Sequence, residues 1–205
     1  MELPEALDRI ADIRAQLAQT ETFRGFRSLT VGFSGVLGVA AAFVQLDRIP
    51  LPSEQVLEFV DLWVGVAVIC LLVVGAELAY RWAVEPSPLK RRLTLLAIQQ
   101  FAPCLVAGGV VTAAVANLPE CAWMLPGLWA VVFSLGVFSC CRLLPPATFW
   151  VGVHYLASGT LCLMFGRDAQ ALTPWMMIGT FGVGQLLAAV ILYYTLERRN
   201  ERAAS

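Results

Sequence analysis

The segment VVGAELAYRW, residues 73 to 82, closes an apolar run that contains one carboxylate, Glu77, followed by a guanidinium four residues later, Arg81. A carboxylate facing hydrocarbon is costly, so Glu77 has either a partner or a task. The i,i+4 spacing places Arg81 one helical turn further along the same face, where its long stem can carry the charge outward while it pairs with Glu77. The chemical alternative starts from company: Gln99, Gln100, His154 and Gln185 also lie within apolar stretches. Polar groups at such depths face other helices and hydrogen-bond across them, each bond contributing about 1 kcal/mol. With Glu77 and Arg81 they make a candidate polar vestibule. Its titratable groups are Glu77 and His154, the latter being the single histidine of the chain and the one side chain that ordinarily titrates near neutrality.

Other chemistry is thinly supplied. There is no HExxH, no GxSxG and no pair of carboxylates at catalytic spacing. Cys70, Cys104, Cys140, Cys141 and Cys162 fall in apolar segments, Cys121 lies at the edge of one, and no CxxC pair occurs. Membrane cysteines of this kind act as small hydrophobes. No catalytic residue, metal site or cofactor is expected, and the chain is read as a non-enzyme. The stretch GTFGVG lies inside an apolar run with no strand before it, so it is not a nucleotide loop. Its Gly179, Gly182 and Gly184, and Gly32, Gly35 and Gly38 near the start of the chain, read instead as surfaces for close helix packing. Pro103 and Pro126 fall where a kink or a free carbonyl is tolerated if neighbours satisfy it.

The elements that must position these residues follow from composition. The 205-residue chain is 59% hydrophobic, 14% charged and carries a formal net charge of −1, and soluble domains carry nearer a quarter charged residues. Six stretches approach the roughly 20 apolar residues that cross a bilayer as helix, at about 26–46, 57–80, 93–116, 122–141, 147–165 and 175–196. A soluble bundle would need charged outer faces at helical spacing, and CLVAGGVVTAAVA has none. The expected fold is therefore all-α and polytopic: six transmembrane helices as three hairpins, an amphipathic leader helix over 1–24 and a tail over 198–205. The bilayer is the first partner, and nucleic acid is not expected as one.

Orientation rests on the basic residues. Arg9, Arg14, Arg24, Arg27, Arg81, Lys90, Arg91, Arg92, Arg142, Arg198, Arg199 and Arg202 all fall on one side of the six spans, and the opposite loops hold only Arg48 and Arg167. The positive-inside rule then places both termini in the cytoplasm. Trp63, Trp123, Trp129 and Trp175 come near the outer ends of spans, and Trp82 and Trp150 near the inner ends, as in interfacial aromatic belts. Each outer loop contains proline and is followed by tryptophan, a pattern compatible with a threefold repeat of the hairpin.

The leader lacks the basic start and apolar core of a signal peptide and is expected to stay on the protein. On a helical wheel Leu3, Leu7, Ile10, Ile13 and Leu17 make one apolar stripe. Glu2, Glu5, Asp8 and Asp12 against Arg9 and Arg14 give residues 1 to 20 a side-chain charge of −2. Anionic lipid repels such a helix, so its stripe is expected to pack on protein: its own bundle, a second copy, or a soluble partner.

Three resemblances bear on these readings. The segment GVLGVAAAF before a proline-bearing loop resembles the helix hairpins of small bacterial acid-resistance membrane proteins. Phe33 and Ser34 resemble part of a Phe-Ser-Asp signature in a six-helix potassium channel family, but Gly35 stands where the aspartate belongs, which removes the acidic group of that motif. The acidic leader together with MLPGLW is similar to bacterial six-helix integral membrane proteins of no assigned activity, and implies a bacterial cytoplasmic membrane and nothing about a reaction. The function expected is a non-enzymatic membrane module that binds a protein partner, or a second copy, through its bundle or leader. The alternative is a small-solute or proton-linked transporter or channel built on the vestibule.

Overall fold

The computed structural model describes residues 28–167 and 170–197. The leader with its Leu3, Leu7, Ile10, Ile13 and Leu17, the tail and Asp168 lie outside the described residues. Those described form α1 (Ser28–Arg48), α2 (Val56–Val84), α3 (Pro88–Ala116), α4 (Leu125–Cys140) and α5 (Phe149–Phe165). A 3-10 turn, Pro119–Met124, leads into α4, and another, Pro146–Thr148, into α5. The last helix, α6, is assembled from Pro174–Met177, a π turn at Ile178–Gly182, Val183–Leu192 and a second π turn at Tyr193–Glu197. Six helices are long and apolar enough to cross a membrane, which is the character of an integral membrane protein.

Proline sets most of the boundaries. Pro88, Pro119, Pro126, Pro146 and Pro174 each occupy a first or second helical position, where a missing N–H costs nothing and the fixed φ suits the helix. The other end of α2 is closed by a side chain: Arg91 donates from Nε to the Glu85 carbonyl at 2.7 Å and from Nη2 to the Ala83 carbonyl at 3.2 Å. These are carbonyls the helix leaves without partners. The same guanidinium lies 5.3 Å from the centroid of the Trp82 ring. Pro103 sits within α3, which continues through it.

The helices form a ring in chain order, each packing against its sequence neighbours, and α1 closes the ring against α6. The closest associations are α4 with α5, α3 with α4 and α1 with α6; the thinnest is α2 with α3. Glycine explains the close ones. A Cβ on Gly127 of α4 would lie 2.9 Å from the Gly159 carbonyl oxygen of α5, and a Cβ on Gly159 would lie 2.9 Å from that of Gly127. Only hydrogen at both positions lets the two backbones approach so far. Gly136 likewise admits the Cys104 thiol, and Gly35 admits Leu186. The expected glycine surfaces divide: Gly35, Gly182 and Gly184 meet neighbours, whereas nothing from another element lies within 4 Å of a Cβ built at Gly38 or Gly179.

We call the end of the bundle where α1 begins and α2 finishes proximal, and the opposite end distal. The distal core gathers Ala41, Ala42, Phe59, Trp63, Leu125 and Leu172. A middle layer gathers Ala130, Val151 and Tyr155 with Phe101, Phe133 and Phe181, and a small proximal cluster gathers Leu78, Leu93 and Ala97. Trp63 departs from the expected aromatic belt. It is 5% exposed, packs in the core and uses its indole N–H inside the bundle. Trp175 and Trp150, each 64% exposed, keep the outward position expected of belt residues.

Candidate functional site

Glu77 lies on the inward side of α2, two turns before its proximal end. Its Oε1 accepts from Arg81 Nε at 3.0 Å, and its Oε2 accepts the hydroxyl of Thr30 on α1. The carboxylate side chain is 20% exposed and the Arg81 side chain 34%. Both oxygens of the charge are thus engaged, one by a countercharge on its own helix and one by a donor on the next. One turn into α1, the Ser34 hydroxyl donates to the Thr30 carbonyl at 3.2 Å. A polar edge therefore runs along the contact of α1 with α2.

No hydrogen bond joins the other vestibule candidates to this edge among the described residues. Gln99 is exposed on α3, and Gln100 and Gln185 are half-buried. Gln100 holds its Oε1 out of solvent with no hydrogen-bond partner. His154 Nε2 lies 3.2 Å from the Thr180 carbonyl, and because a carbonyl only accepts, that nitrogen carries the proton. Thr180 belongs to the first π turn of α6, and π turns change which N–H each carbonyl faces. His154 thus ties α5 to the irregular turn of α6. Of the six candidates, Glu77 and Arg81 are brought together, and among the described residues no hydrogen bond links the other four to that pair. Among the described residues, no three His, Cys, Asp or Glu side chains are grouped closely enough to hold a metal ion.

Two residues that sequence reasoning missed occupy completely enclosed polar positions. Gln45 of α1 is completely buried. Its Oε1 accepts the Trp63 indole N–H at 2.8 Å and its Nε2 donates to the Leu172 carbonyl at 2.7 Å. An indole only donates and a carbonyl only accepts, so one amide orientation alone satisfies both. This latch joins α1, α2 and the segment entering α6 at the distal end. A shallow cavity of about 290 Å³ opens beside it, lined by Leu46, Ile49, Pro52, Thr173 and Trp175 among others. Gln45 lies at the end of the first apolar stretch, just before Asp47 and Arg48, and nothing in its type or spacing singles it out. The second residue is Tyr155, also completely buried, whose hydroxyl has no hydrogen-bond partner. Its ring contacts Phe133 and Phe181, and its tip lies over Gly184, where a Cβ would come within 2.7 Å of the oxygen. The available signal was its place: a phenol in the middle of a span, where interfacial tyrosines do not sit.

No protein-family model matches this chain, and neither a curated protein nor a solved structure matches it.

Proposed function

We propose that the protein is a non-enzymatic integral membrane module that binds a protein partner, with α2 and α3 providing the intramembrane face and the acidic leader a second contact in the cytoplasm. The observation that carries this reading is unequal coverage. Only 17% of the apolar spans of α2 and α3 is buried within the bundle, against 39% for α1 and 44% for α4. Lipid covers apolar side chains well, but Gly65, Gly75 and Gly109 on the same two helices have no neighbouring atom within 4 Å of a Cβ. Small residues on a membrane-facing surface let another helix approach closely, and helix association in bilayers depends on such approach. The test is photo-crosslinking in the membrane from Leu72 of α2 and Val106 of α3, each 66% exposed, with Leu161 of α5, 55% exposed, as the comparison.

The orientation that puts the leader in the cytoplasm follows from the twelve basic residues on one side, and the three-hairpin arrangement goes with it. Cysteine tags at Ser53 and Ser87 should then label from outside and inside respectively; the reverse pattern would invert the topology. A second reading, transport of a small solute or protons, is favoured by one specific observation: the Tyr155 hydroxyl and the Gln100 carbonyl oxygen are enclosed without partners.

A further inference from the structure

The first π turn of α6, Ile178–Gly182, is tied to α5. His154 Nε2 donates to the Thr180 carbonyl at 3.2 Å, the Thr180 hydroxyl lies 3.7 Å from the Cys162 thiol, and that thiol lies 3.9 Å from the thioether of Met176, just before the turn. Thr180 and Cys162 are both buried. A π turn spends one residue more than an α-helical turn, and such turns are rare and concentrate at functional sites. Absorbing the extra residue into a regular helix would turn one side of α6 against the other by one residue, about 100° of rotation and about 1.5 Å of rise.

The side after the turn is fixed. A Cβ on Gly184 would lie 2.5 Å from the Tyr155 ring, and a Cβ on Gly35 of α1 would lie 2.9 Å from Leu186. A one-residue rotation of Val183–Leu192 would bring the branched Val183 under Tyr155, where only glycine fits. The side before the turn tolerates the step, because its sequence is Trp175, Met176, Met177, Ile178. Met177 would replace Met176 against Cys162, thioether for thioether, and Ile178 would replace Met177 in the distal core. Apolar chains of similar volume exchange at little cost. The turn itself has freedom to rearrange, since it holds Gly179 and Gly182 and nothing from another element lies within 4 Å of a Cβ at Gly179.

We infer that α6 is a two-register helix, locked in its π register by His154, and that release of the lock turns Pro174–Met177 by one residue. A regular helix gives the Thr180 carbonyl an N–H of its own, so the bond from His154 favours the π register. The Leu172 carbonyl, which accepts from Gln45 at 2.7 Å, leads directly into the segment that turns. Thr173, Pro174 and Trp175 form one wall of the distal cavity, facing Leu46 and Ile49. The step draws the carbonyl from Gln45 and moves that wall, which makes the distal latch the moving part of the bundle. This inference does not depend on the partner-binding reading.

The registers are told apart by which methionine faces Cys162. Full-length variants with Cys162 as their single native cysteine carry Met176→Cys or Met177→Cys and are treated in membranes with a short bifunctional methanethiosulfonate. Intact mass then separates a bridge from two single adducts. With His154 present, Met176→Cys should bridge to Cys162 and Met177→Cys should not. His154→Ala should raise bridging from Met177→Cys relative to Met176→Cys about fivefold or more, the factor carried by one hydrogen bond. His154→Phe removes the donor while keeping a ring beside Tyr155, and is read in the same way should His154→Ala fail to fold. His154→Gln, whose amide also donates, should restore the Met176 preference. Deleting Gly179 removes the extra residue and keeps both sides of α6 in their present relation, so in that background loss of the His154 donor should shift nothing. An unchanged Met176 preference without the donor would show a single register and overturn the inference. So would an equal shift in the Gly179 deletion, where no extra residue remains to be absorbed.

Discussion

At the scale of single residues, the question raised by Glu77 resolves into geometry: Arg81 and Thr30 each take one oxygen of its side chain. The arrangement is asymmetric, and that gives a test. Glu77→Gln retains an oxygen for Thr30 and frees an arginine that can snorkel to the interface. Its cost should be under about 1 kcal/mol. Arg81→Leu leaves a carboxylate with one neutral donor and should cost about 2 kcal/mol. Equilibrium unfolding in mixed detergent measures both, and a larger loss for Glu77→Gln would contradict the pairing. The same variant addresses transport: any proton or solute flux in proteoliposomes should survive Glu77→Gln, whereas a proton-linked vestibule requires its loss. The sequence made the Glu77–Arg81 pair legible because both partners lie on one helix at a known spacing. It did not reveal Thr30, Gln45 or Tyr155 as partners or orphans. Those roles depend on which helix stands opposite, and the 127-residue separation of Gln45 from Leu172 leaves no local trace.

At the scale of elements, stability rests on surfaces where side chains are missing. With no hydrophobic drive between helices in lipid, close van der Waals contact and buried hydrogen bonds hold the bundle. The α4–α5 crossing at Gly127 and Gly159 is the tightest example. Gly159→Leu should destabilise the protein by about 3 kcal/mol, since the new side chain meets the Gly127 backbone and Ala130 with no room to turn. Gly179→Leu, at a position with nothing nearby, should change stability by less than about 0.5 kcal/mol. Comparable losses at the two sites, read from thermal aggregation midpoints, would contradict this assignment of packing surfaces. Helix identity was legible at this scale, because unbroken apolar length and prolines at first turns are local signals. The π turns of α6 were not. The first of them holds Thr180, which engages His154 and Cys162 across the bundle, and GTFGVG by itself reads as a regular helix.

At the scale of the whole molecule, six apolar helices make a ring whose coverage is uneven. Joins on either side of α4 and between α1 and α6 are dense, whereas α2 and α3 share only the small proximal cluster of Leu78, Leu93 and Ala97 and the distal core that holds Phe59 and against which Val111 and Val115 of α3 pack. Composition and hydropathy were enough to read the number of spans and the membrane itself. They were silent on this unevenness, since α2 and α3 are as apolar as their neighbours and only packing distinguishes a face turned inward from one left open. The central claim is that the open face is where a protein partner sits. Its most direct measurement is photo-crosslinking in the native membrane, with a photoreactive residue placed singly at Leu72, Val106 or Leu161. The account predicts a discrete, reproducible protein adduct from Leu72 and Val106 and lipid adducts alone from Leu161. Lipid adducts alone from all three, or a protein adduct confined to Leu161, would contradict it.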